Sequence, residues 1–246
     1  MDCRTEQRIN QNADRELLQG TTPGMANTDF LGQLNTPRRE ELLSGAARLS
    51  LRKGEFIFRV GDSGDTVFLL LAGRVKTYKI SPSGREVILW FGFPGEVFGL
   101  VETPQHKGRM VNVQACEDTE IARVSGTYFR KFLAAHAEVS QLCIRVVASR
   151  LGMLANRLVY LMADNAEARI AKLLVDLAAR YHDPKNAAEH PVGLTHQEIA
   201  NITGVQRQTV TRILGKFTER GALSVHYRNI SIRDRELLMR YAARHP

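Results

Sequence analysis

Near the C-terminus, Arg207, Gln208, Thr211 and Arg212 carry the donor and acceptor groups that can read the edges of DNA bases. Arg pairs bidentately with O6 and N7 of guanine, Gln with N6 and N7 of adenine, and Thr offers its methyl group to thymine. The four residues repeat at a spacing of four, which on a helix puts them on one side. Direct base readout is the chemistry these residue types can perform, and it requires a helix that presents them outward.

The surrounding sequence supplies that helix. Thr195 followed by Glu198 has the spacing of a capping box and starts a short helix with Ile199, Ala200 and Ile202 on its apolar face. Gly204 permits a turn that a residue with a Cβ would resist. A second helix follows, burying Val210 and Leu214 while Arg207, Gln208, Thr211 and Arg212 face outward. Two short helices joined in this way form a helix-turn-helix, whose second helix enters the major groove. An ordinary helical hairpin with a solvated face would explain the helices. It would not explain base-reading side chains grouped at the N-terminal end of the second one. Thr195, Lys216 and Arg228 are the candidates for contacts to the DNA backbone.

Charge agrees with this reading. The 246-residue chain carries a net charge of +8, and 43% of it is hydrophobic, enough for a proper core. From Thr195 to Pro246, nine Lys and Arg stand against four acids, a local excess of +5 that suits phosphate binding. Cys3, Cys116 and Cys143 are too dispersed for a disulfide framework and point to a reducing compartment, the cytoplasm. The N-terminus lacks a signal-peptide pattern, and no membrane span is expected.

Taken in order, residues 1–28 read as a polar extension. The pattern from Phe30 to Leu49 is helical, with Pro37 interrupting it or opening its second segment. From Leu51 to Val124, short strand-like runs alternate with Gly-bearing turns, as in an antiparallel sandwich or roll. Ser125 is a candidate N-cap where helical periodicity returns. Cys143, Val147, Leu151, Leu154, Leu158 and Leu161 then form, after the first step, a heptad seam suited to a two-stranded coiled coil. The alternative is burial of this stripe against the protein's own sheet. Asp164 with Glu167 marks the next helix start, 183–193 is a polar loop, and Leu223–Ile232 reads as a small β-hairpin or wing.

The succession of β-roll, long central helix and winged helix-turn-helix resembles the cAMP receptor protein/FNR family of bacterial transcription regulators. The similarity runs from Leu34 to Ile232. It is anchored by Gly95-Glu96-Val97-Phe98-Gly99-Leu100, by Arg109, by Arg169-Ile170-Ala171 and most firmly by Thr195–Leu214. It implies an α+β chain in four parts: the extension (1–28), an effector-sensing roll like a cyclic-nucleotide-binding domain (29–135), a long dimerisation helix (136–163) and a winged helix-turn-helix (164–246). It also implies a homodimer paired through Val147, Leu151, Leu154, Leu158 and Leu161, bound to a palindromic operator and in contact with RNA polymerase. No catalytic role is expected.

The resemblance places an effector pocket at Gly99, Leu100, Arg109, Met110, Arg150 and Leu154. Cyclic-nucleotide-responsive members use a Glu at the position of Leu100, a Ser at Met110, and hydroxyls at Leu154 and Ala155. The apolar residues found here cannot pair a ribose hydroxyl or an adenine edge, so cAMP is not the expected ligand. Backbone N–H groups near Gly99 together with Arg109 suit another small anion; in the alternative, Arg109 and Arg150 merely pair with acids inside the roll. An iron–sulfur cluster needs four thiolates where only three dispersed cysteines exist. Haem needs fewer ligands, and His106 and Cys116 are its candidates. Two rivals remain: a constitutive DNA binder whose roll is a scaffold, and a cupin-type metalloenzyme, which would need more roll histidines than His106.

Overall fold

The alternating apolar pattern in the middle of the chain builds two antiparallel sheets. In this computed structural model, which describes residues 28–102, 108–181, 192–227 and 229–243, the strands are β1 (Ala46–Leu51), β2 (Phe56–Phe58), β3 (Thr66–Ala72), β4 (Val75–Ile80), β5 (Glu86–Gly92), β6 (Val97–Phe98), β7 (Asn112–Ala115) and β8 (Thr119–Ser125). One sheet has the order β1-β8-β3-β6 and the other β2-β7-β4-β5. The central strand β3 shows why its sequence is a continuous apolar run. Side chains alternate across a strand, and here both faces are covered. Phe68 and Leu70 join Phe58, Val75, Phe98, Val113 and Ile121 in one core. Val67 and Leu69 join Ala122 and Val124 in a second core.

Helices close that second core. They are α1 (Thr36–Ser44), α2 (Gly126–Ala135) and α3 (Ala137–Ala163). Leu42, Phe129, Phe132, Val139, Leu142 and Val146 supply their buried side chains. Asn35 caps α1 by accepting the Arg38 N–H, and Pro37 sits in the first turn, where its missing N–H costs nothing. The helical reading of 30–49 therefore holds only for 36–44. Leu49 lies in β1, where pairing with β8 overrides local periodicity. Ser125 caps α2 as expected, accepting the Tyr128 N–H at 3.2 Å.

The chain forms two compact units, one within Ala26–Gly152 and the other within Met153–Pro246, so the division falls inside α3 rather than at its end. The second unit contains α4 (Ala166–Tyr181), β9 (Val192–Gly193), α5 (His196–Thr203), α6 (Arg207–Glu219), β10 (Leu223–His226), β11 (Asn229–Ile232) and α7 (Arg235–Ala242). The expected wing is the β10–β11 hairpin, widened by β9 to the order β10-β11-β9. The segment 183–193 was expected to be a loop throughout; Val192–Gly193 instead pairs with β11. Asp164 does not start α4: it pairs with Lys172 at 2.7 Å, and Asn165 accepts the Ala168 N–H at 2.9 Å. Helix α7 carried no signal strong enough to be read from sequence. It is capped by Asp234 and buries Leu238 and Tyr241.

The α3 stripe changes only at its first position. Cys143 turns inward and packs against the helix-covered core with Leu142 and Val146. Ile144, 69% exposed, takes the outward place. Ile144, Val147, Leu151, Leu154, Leu158 and Leu161 then step by 3, 4, 3, 4 and 3, an unbroken heptad pattern. Burial pushes the Cys143 thiol up to about 12. Since the thiolate is the reactive form, a thiol reagent at pH 8 should modify Cys143 and the buried Cys116 slowly in the folded protein and rapidly in denaturant. Mass spectrometry of timed samples checks this; fast labelling of Cys143 in the folded state would contradict it.

Candidate nucleic-acid interface and effector pocket

The helix-turn-helix is built as its sequence requires. The Thr195 hydroxyl accepts the Glu198 N–H at 3.1 Å, and the Glu198 carboxylate accepts the Thr195 backbone N–H at 2.8 Å. Gly204 ends α5 with φ +69°, a left-handed conformation costly for other residues. A Cβ there would also stand 3.2 Å from Leu161 Cδ2. On α6, Val210, Ile213, Leu214 and Phe217 are buried. Arg207, Gln208, Thr211 and Arg212 are exposed together on the opposite side. The structure thus brings the four predicted base-reading residues onto one open face.

The three predicted backbone contacts fare differently. Thr195 directs its hydroxyl into its own cap, donating to Glu198 at 2.9 Å. Lys216 is held by both carboxylate oxygens of Glu167, at 2.7 and 2.9 Å. Its charge is already paired within the unit, which the sequence could not reveal because Glu167 lies 49 residues away. Arg228 lies outside the described residues. One participant was missed: His196 Nδ1 lies 2.8 Å from the Thr211 hydroxyl, tying the start of α5 to the open face of α6. No periodicity announces a contact across the turn. At the wing tip, Tyr227 is fully exposed with φ 55°.

In the roll, Gly99 and Arg109 come together. Arg109 is 2% exposed. Its guanidinium lies 4.3 Å from the centre of the Phe58 ring and 5.7 Å from that of Phe68. Nη1 donates to the Gly99 carbonyl at 3.2 Å, and Nη2 donates to the Thr66 carbonyl. Gly99 has φ +81°, and a Cβ there would stand 2.7 Å from Arg109 Nη1 and 2.9 Å from the Thr66 carbonyl oxygen. Glycine is therefore needed both for the backbone conformation and for the close approach. Burial lowers the pKa of Arg109 from its ordinary value, and the Glu102 carboxylate opposes that shift.

Glu102 is the residue that sequence reasoning missed. Its side chain is 6% exposed, and Oε2 stands 3.3 Å from Arg109 Nη1. Its other oxygen accepts the Met110 backbone N–H at 3.3 Å. Removing one partner of such a buried pair strands a charge, at a cost of about 3–5 kcal/mol.

Leu100 packs into the helix-covered core. Met110 is 50% exposed. Arg150 donates to Glu96 at 3.4 Å and to the Val97 carbonyl, with its guanidinium 5.5 Å from the Trp90 ring centre. Glu96 also accepts the Thr28 hydroxyl at 2.8 Å. Leu154 lies in the other compact unit. The pairing of Arg109 and Arg150 with acids inside the roll is therefore what the structure shows. Of the haem candidates, Cys116 is 7% exposed and His106 lies outside the described residues. Among the described residues, no group of three or more His, Cys, Asp or Glu side chains is placed to hold a metal ion. No helix among them is long and apolar enough to cross a membrane.

Comparison with known proteins matches both units. Residues 48–136 match the cyclic nucleotide-binding domain family. Residues 168–241 match the Crp-like helix-turn-helix domain family. The chain is 29% identical over 191 residues to a CRP-like cAMP-activated global transcriptional regulator of Mycobacterium tuberculosis, covering 77% of this chain and 85% of that one. It is 29% identical over 187 residues to the transcriptional activator protein Anr of Pseudomonas protegens, covering 75% of each. The solved structure of FixK2 from Bradyrhizobium japonicum is similar with a TM-score of 0.70 at 25% identity, over 80% of this chain and 96% of that one. Roll, long helix and winged helix-turn-helix thus agree in fold and in sequence, and the chain belongs to the cAMP receptor protein/FNR family of transcription regulators.

Proposed function

We propose that the protein works as a homodimer that reads a two-fold symmetric DNA site, with its affinity for that site set by a small anion other than cAMP in the roll. The observation that carries the DNA-reading role is the exposed face of α6, where Arg207, Gln208, Thr211 and Arg212 stand together over a buried apolar face. Arg207, Gln208 and Arg212 read bases. Thr211, whose hydroxyl already meets His196, contributes less. Lys216 holds α4 to α6 through Glu167 rather than DNA, and Arg228 is left to contact the phosphate backbone. The dimer forms along the α3 seam, operator-bound copies engage RNA polymerase, and the work is done in the cytoplasm.

Two features support an effector other than cAMP, although the Mycobacterium tuberculosis relative is cAMP-activated by name. The Leu100 side chain is committed to the apolar core, and Met110 offers no hydroxyl. A nucleotide's polar edges would stay unpaired there, which disfavours it. Arg109 suits an anion.

Selection of bound sequences from a random DNA pool tests the reading. Two half-sites related by a two-fold axis, about one helical turn (34–36 Å) apart, are expected. Arg212→Ala should then weaken binding by about 1–3 kcal/mol at one base position per half-site and relax the preference there. An equal loss on every sequence would make Arg212 a phosphate contact instead.

A further inference from the structure

The arrangement of Glu102 has a consequence for sensing, and it rests on the reading of the roll as an anion sensor. An anion entering beside Gly99 would need the Arg109 guanidinium and a nearby backbone N–H. Both are already taken by one internal carboxylate: Oε2 of Glu102 faces Arg109 Nη1 at 3.3 Å, and Oε1 accepts the Met110 N–H at 3.3 Å. Nη1 also donates to the Gly99 carbonyl and Nη2 to the Thr66 carbonyl, while the buried Nε has no hydrogen-bond partner among the described residues. Arg109 is closed in by Phe58 and Phe68, so a second anion cannot approach it from the ring side. We propose that Glu102 is a resident anion that fills the seat of the effector, and that an anionic effector reaches Arg109 only by displacing it.

Two physical points favour displacement over simple coexistence. A second negative charge next to Glu102 would be repelled in a site where little water screens it. Conversely, a free Arg109 would be a buried, unpaired charge, so the empty roll needs a substitute ligand. Glu102 meets that need without an effector. It also sets a threshold, because the apparent affinity of an effector falls in proportion to the fraction of molecules in which the seat is open.

Calorimetric titration of the full-length protein with inorganic phosphate tests the proposal. Glu102→Gln keeps the shape of the side chain and removes its charge, and it should bind phosphate at least about tenfold more tightly than the wild type, the factor expected when the open state is about a tenth of the population. Glu102→Asp, whose shorter arm cannot bridge Arg109 and Met110, should fall between the two and serves if the Gln variant does not fold. Adding Arg109→Gln to Glu102→Gln should abolish the gain. Equal phosphate affinity in the wild type and in the Glu102 variants that fold overturns the proposal, as does a gain that survives loss of Arg109. If the gain appears but phosphate leaves the affinity of the selected DNA site unchanged, the Glu102 seat stands and the sensing role of the roll falls.

Discussion

Replacing Leu151 and Leu158 together by Glu is expected to convert the protein to a monomer at micromolar concentration and to weaken binding to a two-fold DNA site by about 10²–10⁴-fold. The two residues are 68% and 59% exposed, yet both are large and apolar and lie one heptad apart. A fully exposed Leu gains about 1.5–3 kcal/mol on burial, and the seam repeats that opportunity at Ile144, Val147, Leu154 and Leu161. Two Glu side chains from each copy would bring like charges into the seam. Binding to a single half-site should change little, because α6 is untouched. Sedimentation and DNA titration with one and two half-sites check this. A dimer that survives the double substitution would show that the α3 seam is not the interface.

Phe217→Ala is expected to destabilise the C-terminal unit by about 3–5 kcal/mol, the usual cost of emptying a large aromatic site. Phe217 is wholly buried, and its ring lies 4.6 Å from that of Tyr241 on α7. It anchors the inner face of α6, so its loss should free the recognition helix and abolish specific DNA binding at temperatures where the wild type binds. Arg212→Ala on the outer face of the same helix should leave stability within about 0.5 kcal/mol while altering specificity. Urea unfolding of both variants beside DNA titration separates the two effects. A Phe217→Ala protein as stable as the wild type would contradict this account of how α6 is held.

The helix-turn-helix was legible because each of its signals is local. The Thr195–Glu198 box, Gly204 and the apolar spacing of α6 lie within some twenty residues, and the structure realises all of them. The strands of the roll were legible for a similar reason, since Gly-bearing turns punctuate them. Failures occurred where long-range packing decides. Leu49 entered β1 because β8 was available to pair with it. Cys143 left the seam because Leu142 and Val146 beside it face the roll, and one step of the helix chose Ile144 instead. Lys216 found Glu167, and α7 was missed altogether.

By itself, then, the sequence determined the order of roll, long helix and winged helix-turn-helix, and the side chains that α6 presents. Capping, turn chemistry and periodicity act over a few residues and are carried by the residues themselves. Only the tertiary structure decided which charges are already spent. In the chain, Lys216 reads as an open cation, and Arg109 and Arg150 suit a bound anion or internal acids equally; folding sets the three against Glu167, Glu102 and Glu96. A charge brought into a low-dielectric interior must be paired there, and its partner is chosen by three-dimensional proximity, which no local pattern records.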